Sequence, residues 1–233
     1  MRPFRVPEDF YQVYDSHRTY AHPEIRRKHL RNFDAQFWTP SKCTAAMSVL
    51  ELGCGTGLFL SYLRARGVEN FLGVEQDQKV LDFIPPEIAQ RIIISDIWKF
   101  LDSPPAAQRY DRIALFDVLE HFSPYEGVDL LLKLKALLTE TGRIVVRIPN
   151  MSSPWGLQYQ FHDLTHKALY TPGSLRQLAL AAGMDCIACL PQWRGSLFKQ
   201  WTEAGLNALL RRLLTEAPEI MSANMIGVLC PRP

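Results

Sequence analysis

At 233 residues, 47% hydrophobic and 21% charged, the chain suits one compact domain with a substantial core. A formal net charge of +2 excludes the strongly basic character that would argue for general nucleic-acid or membrane binding. The five cysteines are odd in number and hold one Cys-x-x-Cys pair, Cys186 to Cys189, which excludes a disulfide framework and a structural zinc site and leaves reduced core thiols in a cytoplasmic protein. The N-terminus has no basic-then-apolar leader pattern, and no apolar run approaches the roughly twenty residues needed to span a bilayer.

Residues 1–47 precede the first predicted strand. They contain Glu8 to Tyr14 and then a predicted helix from Pro23 to Trp38, on which Ile25, His29, Leu30, Phe33 and Phe37 recur at helical spacing and should pack on the body. The cluster Arg26, Arg27, Lys28 and Arg31 reads as a solvated helix face, with an anionic substrate as the sharper alternative.

Val49-Leu50-Glu51-Leu52 reads as a buried strand that runs into Gly53-Cys54-Gly55-Thr56-Gly57 and then a helix, Leu58 to Arg66, closed by Gly67. Glycines at alternate positions strip side chains from the turn, so that a ligand can approach the backbone. Dinucleotide folds place glycines as Gly-x-Gly-x-x-Gly, with a pyrophosphate on the helix N-terminus. Here Leu58 occupies the third slot and Glu51 precedes the turn, where it would repel a pyrophosphate and attract an ammonium group.

Glu51 to Gly57 resembles motif I of the class I S-adenosylmethionine-dependent methyltransferases. The resemblance extends over about residues 48 to 190. It implies a Rossmann-like, doubly wound α/β sheet of seven strands with the last antiparallel, bound S-adenosylmethionine, and S-adenosylhomocysteine as product. It further implies that Gly53, Cys54, Gly55 and Gly57 wrap the methionine part of the cofactor while Glu51 faces its amino group. N-terminal helices in this family close over the cofactor, which makes residues 1–47 a helical lid with Tyr11, Tyr14 and His17 as lining candidates. Residues 48–233 form the cofactor-binding domain.

Phe71 to Glu75 is the second predicted strand. Glu75 stands roughly twenty residues past the glycine turn, where a nucleoside-binding fold sets an acid on the ribose hydroxyls, with Gln76 beside it. Asp77 should cap a helix from Gln78 to Phe83 that Pro85-Pro86 ends. The third strand, Ile92 to Ile94, is β-branched without alternation and reads as covered on both faces. The resemblance places Asp96 on the adenine amino group and Ile97 on the ring; helix capping is the simpler account of Asp96.

Tyr110 to Phe116 is the fourth strand, and Asp117, Glu120 and His121 follow it at the carboxyl edge, where ligands bind in open α/β sheets. Asp117-Val118-Leu119-Glu120-His121 is similar to the loop of methyltransferases that modify small molecules. It lacks the Asn/Asp-Pro-Pro-aromatic turn and the Pro-Cys nucleophile of the DNA enzymes, so no nucleic-acid partner is expected. A helix from Leu130 to Leu138 should stop near Gly142, before the fifth strand, Arg143 to Ile148. Some related O-methyltransferases hold Mg²⁺ at the ends of strands four and five, where Asp117 and Asn150 stand. Two oxygen ligands do not make a site, so no metal is assigned.

Residues 151–172 form a long polar and aromatic loop, of a length more often functional than idle. His162 and His166 resemble a zinc-peptidase pair only in spacing, since Asp163 replaces the glutamate and no third ligand is evident. Asp163-x-Thr165-His166 with Tyr170-Thr171-Pro172 resembles bacterial methyltransferases that act on sugars in glycan or surface-polysaccharide pathways. Methylating a hydroxyl requires removal of its proton, which assigns His166, oriented by Asp163, as base, with His162 and His121 as alternates.

After a helix from Ser174 to Ala182, Met184 to Leu190 and Met225 to Cys230 are the last two strands. The 190–224 insertion between them carries Leu206, Leu209, Leu210, Leu213 and Leu214 at helical spacing, for core packing, a homodimer contact or a cover over the acceptor. The function expected is methyl transfer to a hydroxyl of a sugar-type small molecule. A quinone or polyketide hydroxyl, a catalytically silent binding module and a dehydrogenase are the rival readings.

Overall fold

A computed structural model describes residues 4–13, 20–105, 108–193 and 195–232. Seven strands form one sheet: β1 (Val49–Leu52), β2 (Phe71–Glu75), β3 (Ile92–Ile94), β4 (Tyr110–Phe116), β5 (Leu138–Pro149), β6 (Met184–Pro191) and β7 (Asn224–Pro231). Their order is β3-β2-β1-β4-β5-β7-β6, parallel except for β7, which runs antiparallel to both its neighbours. Leu52 pairs with Val74 on one side and Leu115 on the other, so β1, β2 and β4 end level, and their exit loops form one edge.

The central strands are buried on both faces, and their alternation sorts the core into two layers. Leu50, Leu52, Ile113, Leu115, Ile144 and Val146 face the helices Pro124–Ala136 and Pro172–Ala181. Val49, Ala114, Phe116 and Val145 face the helix Leu58–Ala65 and the N-terminal helix. Glu51 and Arg147 fall on this second face, each near the carboxyl end of its strand.

Several local expectations change in tertiary context. The N-terminal helix starts at Arg27 and widens into a π-helical turn over Asp34–Trp38, which seats Phe33 and Phe37 in the core while Arg26, Arg27, Lys28 and Arg31 stay exposed on a solvated face. β3 is an edge strand with Ile93 exposed, so it is not covered on both faces. The segment Gln78–Phe83 is a 3-10 helix capped by Asp77, as read, and Pro86 opens a further turn, Pro86–Ala89. Gly142 stops no helix: the preceding helix ends at Ala136, and Gly142 lies inside β5, where the register against β4 shifts between the Tyr110–Leu138 and Arg112–Arg143 pairs. The thiols are free, but only Cys43 and Cys54 are core residues; Cys186, Cys189 and Cys230 are half-buried.

Asp111 ties the amino edge of the sheet. Its carboxylate accepts from the Ser48 amide and hydroxyl, both at 2.9 Å, and from the Thr139 hydroxyl at 3.0 Å. Burial pushes its pKa up, but the Ser48 and Thr139 bonds and the Arg112 charge outweigh burial and leave it below the usual value. A depressed carboxylate contributes stability above its unfolded pKa and loses it as pH falls through the folded one. Asp111→Asn should therefore lower the urea midpoint at pH 7 and flatten its decline below about pH 4; parallel acid limbs for the two proteins would refute the assignment.

Candidate active site

The glycine turn is built by backbone geometry. Gly53 and Gly57 have φ of +71° and +83°, and a Cβ would lie 2.6 Å from Val118 Cγ2 at the first and 2.4 Å from Ile88 Cδ1 at the second. Both positions exclude a side chain by conformation and by space. Gly57→Ala should cost about 1–2 kcal/mol of unfolding free energy from φ alone, measurable as a lower urea midpoint. Gly57, expected to wrap the cofactor, stands at the N-cap position of the helix Leu58–Ala65, next to Thr56 and Leu58 in the lining of the cavity beside it.

That cavity, about 1160 Å³, opens at the carboxyl edge and is lined by Glu51, Gly53, Cys54, Gly55, Glu75, Gln76, Asp96, Ile97 and Asp117. Tyr14 and His17 lie outside the described residues. Glu75 ends β2 and organises the turn: Oε2 accepts from the Gly55 amide at 2.8 Å, and Oε1 from the Gln76 and Asp77 amides at 2.8 and 3.0 Å. Asp96 does cap the helix Ile97–Asp102, accepting at Oδ1 from the Trp98 and Lys99 amides, while also facing the cavity.

Glu51 is buried, and its Oε2 has no hydrogen-bond partner. Burial raises its pKa well above the ordinary carboxylate value; Arg147 pulls it down and Glu75 pushes it further up. A buried acid of this kind, set in a cavity wall, is suited to a ligand cation that would restore its charge.

Arg147 and Asp117 form a pair that sequence inspection missed. The Arg147 guanidinium donates from Nε to Asp117 Oδ1 at 3.0 Å, also contacts Oδ2, reaches Gln36 Oε1 at 3.3 Å, and lies 4.8 Å from the centroid of the Phe116 ring. The grip of this pair accompanies a left-handed φ of +57° at Asp117, uncommon outside glycine. Burial lowers the Arg147 pKa and Asp117 raises it, for a net rise. The one available signal was an arginine inside the aliphatic run Ile144-Val145-Val146-Arg147-Ile148.

At the other end of the cavity stand His121, Tyr11, Glu8, Glu126 and Lys167. The 3-10 helix Pro7–Val13 brings Tyr11 to His121 Nδ1 at 3.2 Å and Glu8 to an ion pair with Lys167, which also meets Glu126 at 3.2 Å. The Lys167 and Ala168 amides donate to the Glu120 carbonyl at 2.8 and 3.1 Å, fastening the loop after β5 to the loop after β4. Glu120 itself does not stand at the mouth; its side chain is buried, and burial followed by Asp117 raises its pKa.

This fastening changes which histidine faces the cavity. His166, assigned as the base, bonds through Nδ1 to the Gln160 carbonyl at 2.9 Å and does not line the cavity. His162 is exposed and also outside the lining. His121 is in the lining, and its Nδ1 lies 2.9 Å from Thr165 Oγ1, whose hydroxyl donates to Asp163 Oδ1 at 2.5 Å. Asp163 thus reaches His121 through Thr165, a residue of the Asp163-x-Thr165-His166 motif to which sequence assigns no role. Burial raises the Asp163 pKa, but the Thr165 bonds and the two histidines outweigh it, for a net depression.

His121, Asp163 and His166 each offer a ligand atom within 4.8 Å of the others, whereas His162, the other half of the His162–His166 spacing, is not part of this group. Two imidazoles and a carboxylate are donors that a divalent transition metal accepts. Asn150 cannot join such a set: it is fully buried, donates to the Ile220 and Ser222 carbonyls, and accepts from Ser152.

Known proteins share this architecture. A methyltransferase from Archaeoglobus fulgidus, described as dependent on S-adenosylmethionine, aligns with a TM-score of 0.67 at 18% identity over 94% of this chain and 98% of its own. The CcbJ methyltransferase of Streptomyces caelestis gives 0.60 at 18% over 96% of each. The O-methyltransferase NcsB1 of neocarzinostatin biosynthesis, crystallised with S-adenosylmethionine and 2-hydroxy-5-methyl naphthoic acid, gives 0.56 at 15% over 87% of this chain and 55% of its own. No curated protein matches in sequence. The family model for the methyltransferase domain matches residues 15–188, which include the glycine turn, Glu75, Asp96, His121 and the Asp163–Thr165 pair, and the chain accordingly belongs to the methyltransferase-domain family.

Proposed function

We propose that this enzyme transfers a methyl group from S-adenosylmethionine to a hydroxyl of a small molecule, with a sugar or glycan precursor as the leading acceptor class. The cofactor, when bound, supplies a methyl group already activated on a sulfonium. The residues present suit it. Glu51, with its unpartnered buried Oε2, would take the ammonium; Glu75 the ribose hydroxyls; and Asp96 with Ile97 the adenine. Such placement supplies proximity and alignment, which account for much of the rate of a transfer from an activated donor.

The acceptor proton is the remaining chemical problem, and the observation that carries the hydroxyl reading is the Asp163–Thr165–His121 chain. Because Thr165 donates its proton to Asp163, its oxygen accepts Nδ1–H from His121. The basic nitrogen is then Nε2, which would take the proton of an acceptor hydroxyl held in the cavity during methyl transfer. His121 replaces His166 as the proposed base.

The sugar class rests on the resemblance of the Asp163–Pro172 segment. A phenolic or polyketide hydroxyl is the second reading, favoured by the likeness to NcsB1 with its hydroxynaphthoic acid. The deciding experiment pairs calorimetric titration with S-adenosylhomocysteine and NAD⁺ with a turnover screen of sugar nucleotides, glycans and phenols. Adenosyl binding with turnover on a hydroxylated acceptor is expected. Binding of NAD⁺ alone would overturn the reading, and adenosyl binding with turnover only on amine or thiol acceptors would overturn the hydroxyl assignment.

A further inference from the structure

The helix Leu197–Leu213, placed between β6 and β7, is amphipathic in the reverse sense. Core packing of its leucines, one expectation for this insertion, does not occur, because none of the helix's described side chains is buried. The half-buried positions are Gln200, Glu203, Asn207 and Leu210, so a mostly polar face turns toward the body. Phe198 (77% exposed), Trp201 (78%), Leu209 (53%) and Leu213 (70%) form one stripe on the solvent side. Scattered apolar residues are ordinary on a surface, but a continuous stripe with a tryptophan and a phenylalanine marks a surface that is covered in use.

The location ties this stripe to the active site. β6 runs parallel to β5 and β7 antiparallel, so the helix leaves and re-enters the sheet at the carboxyl edge, where the cavity opens. The loop after β5 leaves from the same edge and exposes Phe161 (66%) and Leu164 (59%). Charge selects the occupant. Lys199, Arg211 and Arg212 are all exposed, whereas the helix's one carboxylate, Glu203, is on the inner face. Two copies packed stripe to stripe would set cations against cations, Lys199 against the arginine end in an antiparallel pair and like against like in a parallel one.

We propose that the carboxyl edge docks on an anionic lipid surface through the helix Leu197–Leu213, and that the acceptor hydroxyl belongs to a lipid-anchored molecule presented there. Phe198, Trp201, Leu209 and Leu213 enter the acyl boundary while Lys199 and Arg212 meet the head groups. No helix among the described residues is long and apolar enough to cross a membrane, so the contact lies in the plane of the interface. Docking stands independently; its extension to the acceptor rests on the proposed function.

Co-sedimentation of the full chain with vesicles of phosphatidylglycerol and phosphatidylethanolamine, and separately of phosphatidylcholine, tests this. Binding to the anionic vesicles is expected, about tenfold weaker to phosphatidylcholine and weakened by salt, and the double variant Phe198→Ser, Trp201→Ser should lose about tenfold or more. S-adenosylhomocysteine titration of the same samples reports the cofactor reading separately: unchanged affinity in the variant shows an intact fold, and absence of binding in both proteins counts against the proposed function alone. Failure of the unaltered protein to bind anionic vesicles, or equal binding by the variant, overturns the docking. A dimer in sedimentation velocity that the double variant disperses also overturns it, making the stripe a subunit interface. With docking established, turnover of a hydroxylated acceptor that is no faster in lipid-anchored than in free form overturns the extension to the acceptor.

Discussion

His121→Ala should lower kcat by about 10²–10⁴-fold, the usual contribution of a positioned base, while S-adenosylhomocysteine affinity stays unchanged. The residues proposed to hold the cofactor lie mainly at the exits of β1, β2 and β3, whereas His121 follows β4 and meets Tyr11 and Thr165. Thr165→Val removes the oxygen that holds Nδ1–H and leaves Nδ1 to the Tyr11 hydroxyl, which can donate to it and so favours the other tautomer. Its kcat should fall about tenfold, with a displaced acid limb in the pH profile, which a merely structural role would not produce. His166→Ala should cost less than His121→Ala, because His166 anchors the Gln160 carbonyl away from the cavity. A larger loss from His166→Ala than from His121→Ala would reverse the assignment.

The second large effect concerns Glu75. Glu75→Ala should weaken S-adenosylhomocysteine binding by about 100-fold or more, since hydrogen bonds to a charged group contribute about 1.5–3 kcal/mol each. The carboxylate also holds the amides of Gly55, Gln76 and Asp77, so its removal loosens the turn that must receive the cofactor. Glu75→Gln, which keeps one acceptor oxygen, should fall between the two. Calorimetry at equal folded fraction separates lost contacts from unfolding. An alanine variant within about threefold of the parent would remove Glu75 from the nucleoside site and with it the main support for the cofactor geometry.

The cofactor half of the site was legible because its residues are local. Glu51 with the glycine turn, Glu75, and Asp96 with Ile97 each sit at or just after the end of a strand, and a parallel sheet gathers such exits at one edge whatever the remaining packing does. The acceptor half was not. His121, His162 and His166 are equivalent as residue types, and which one meets the cavity depends on contacts between the two loops, among them the bonds from the Lys167 and Ala168 amides to the Glu120 carbonyl and from His121 to Thr165. The Thr165 contact to His121 joins positions 44 apart in the chain, a separation that no local pattern encodes.

The insertion helix makes the same distinction. Its leucine spacing correctly specified a helix, because periodicity of 3.6 depends only on the order of residues. Which way the stripe faces depends on what the flanking strands leave beside it, and the described structure turns Phe198 and Trp201 outward. Arg147 is similar: alternation along β5 puts it on the face of Glu51, but its grip on Asp117 requires β4 and β5 to be neighbours in register. The sequence by itself therefore determined the sheet, the glycine turn and the acids at strand ends, all consequences of short-range order. Tertiary structure alone decided which histidine lines the cavity, the Arg147–Asp117 pair and the exposed stripe, because each depends on the mutual placement of segments distant in the chain or on the packing of a helix against the body.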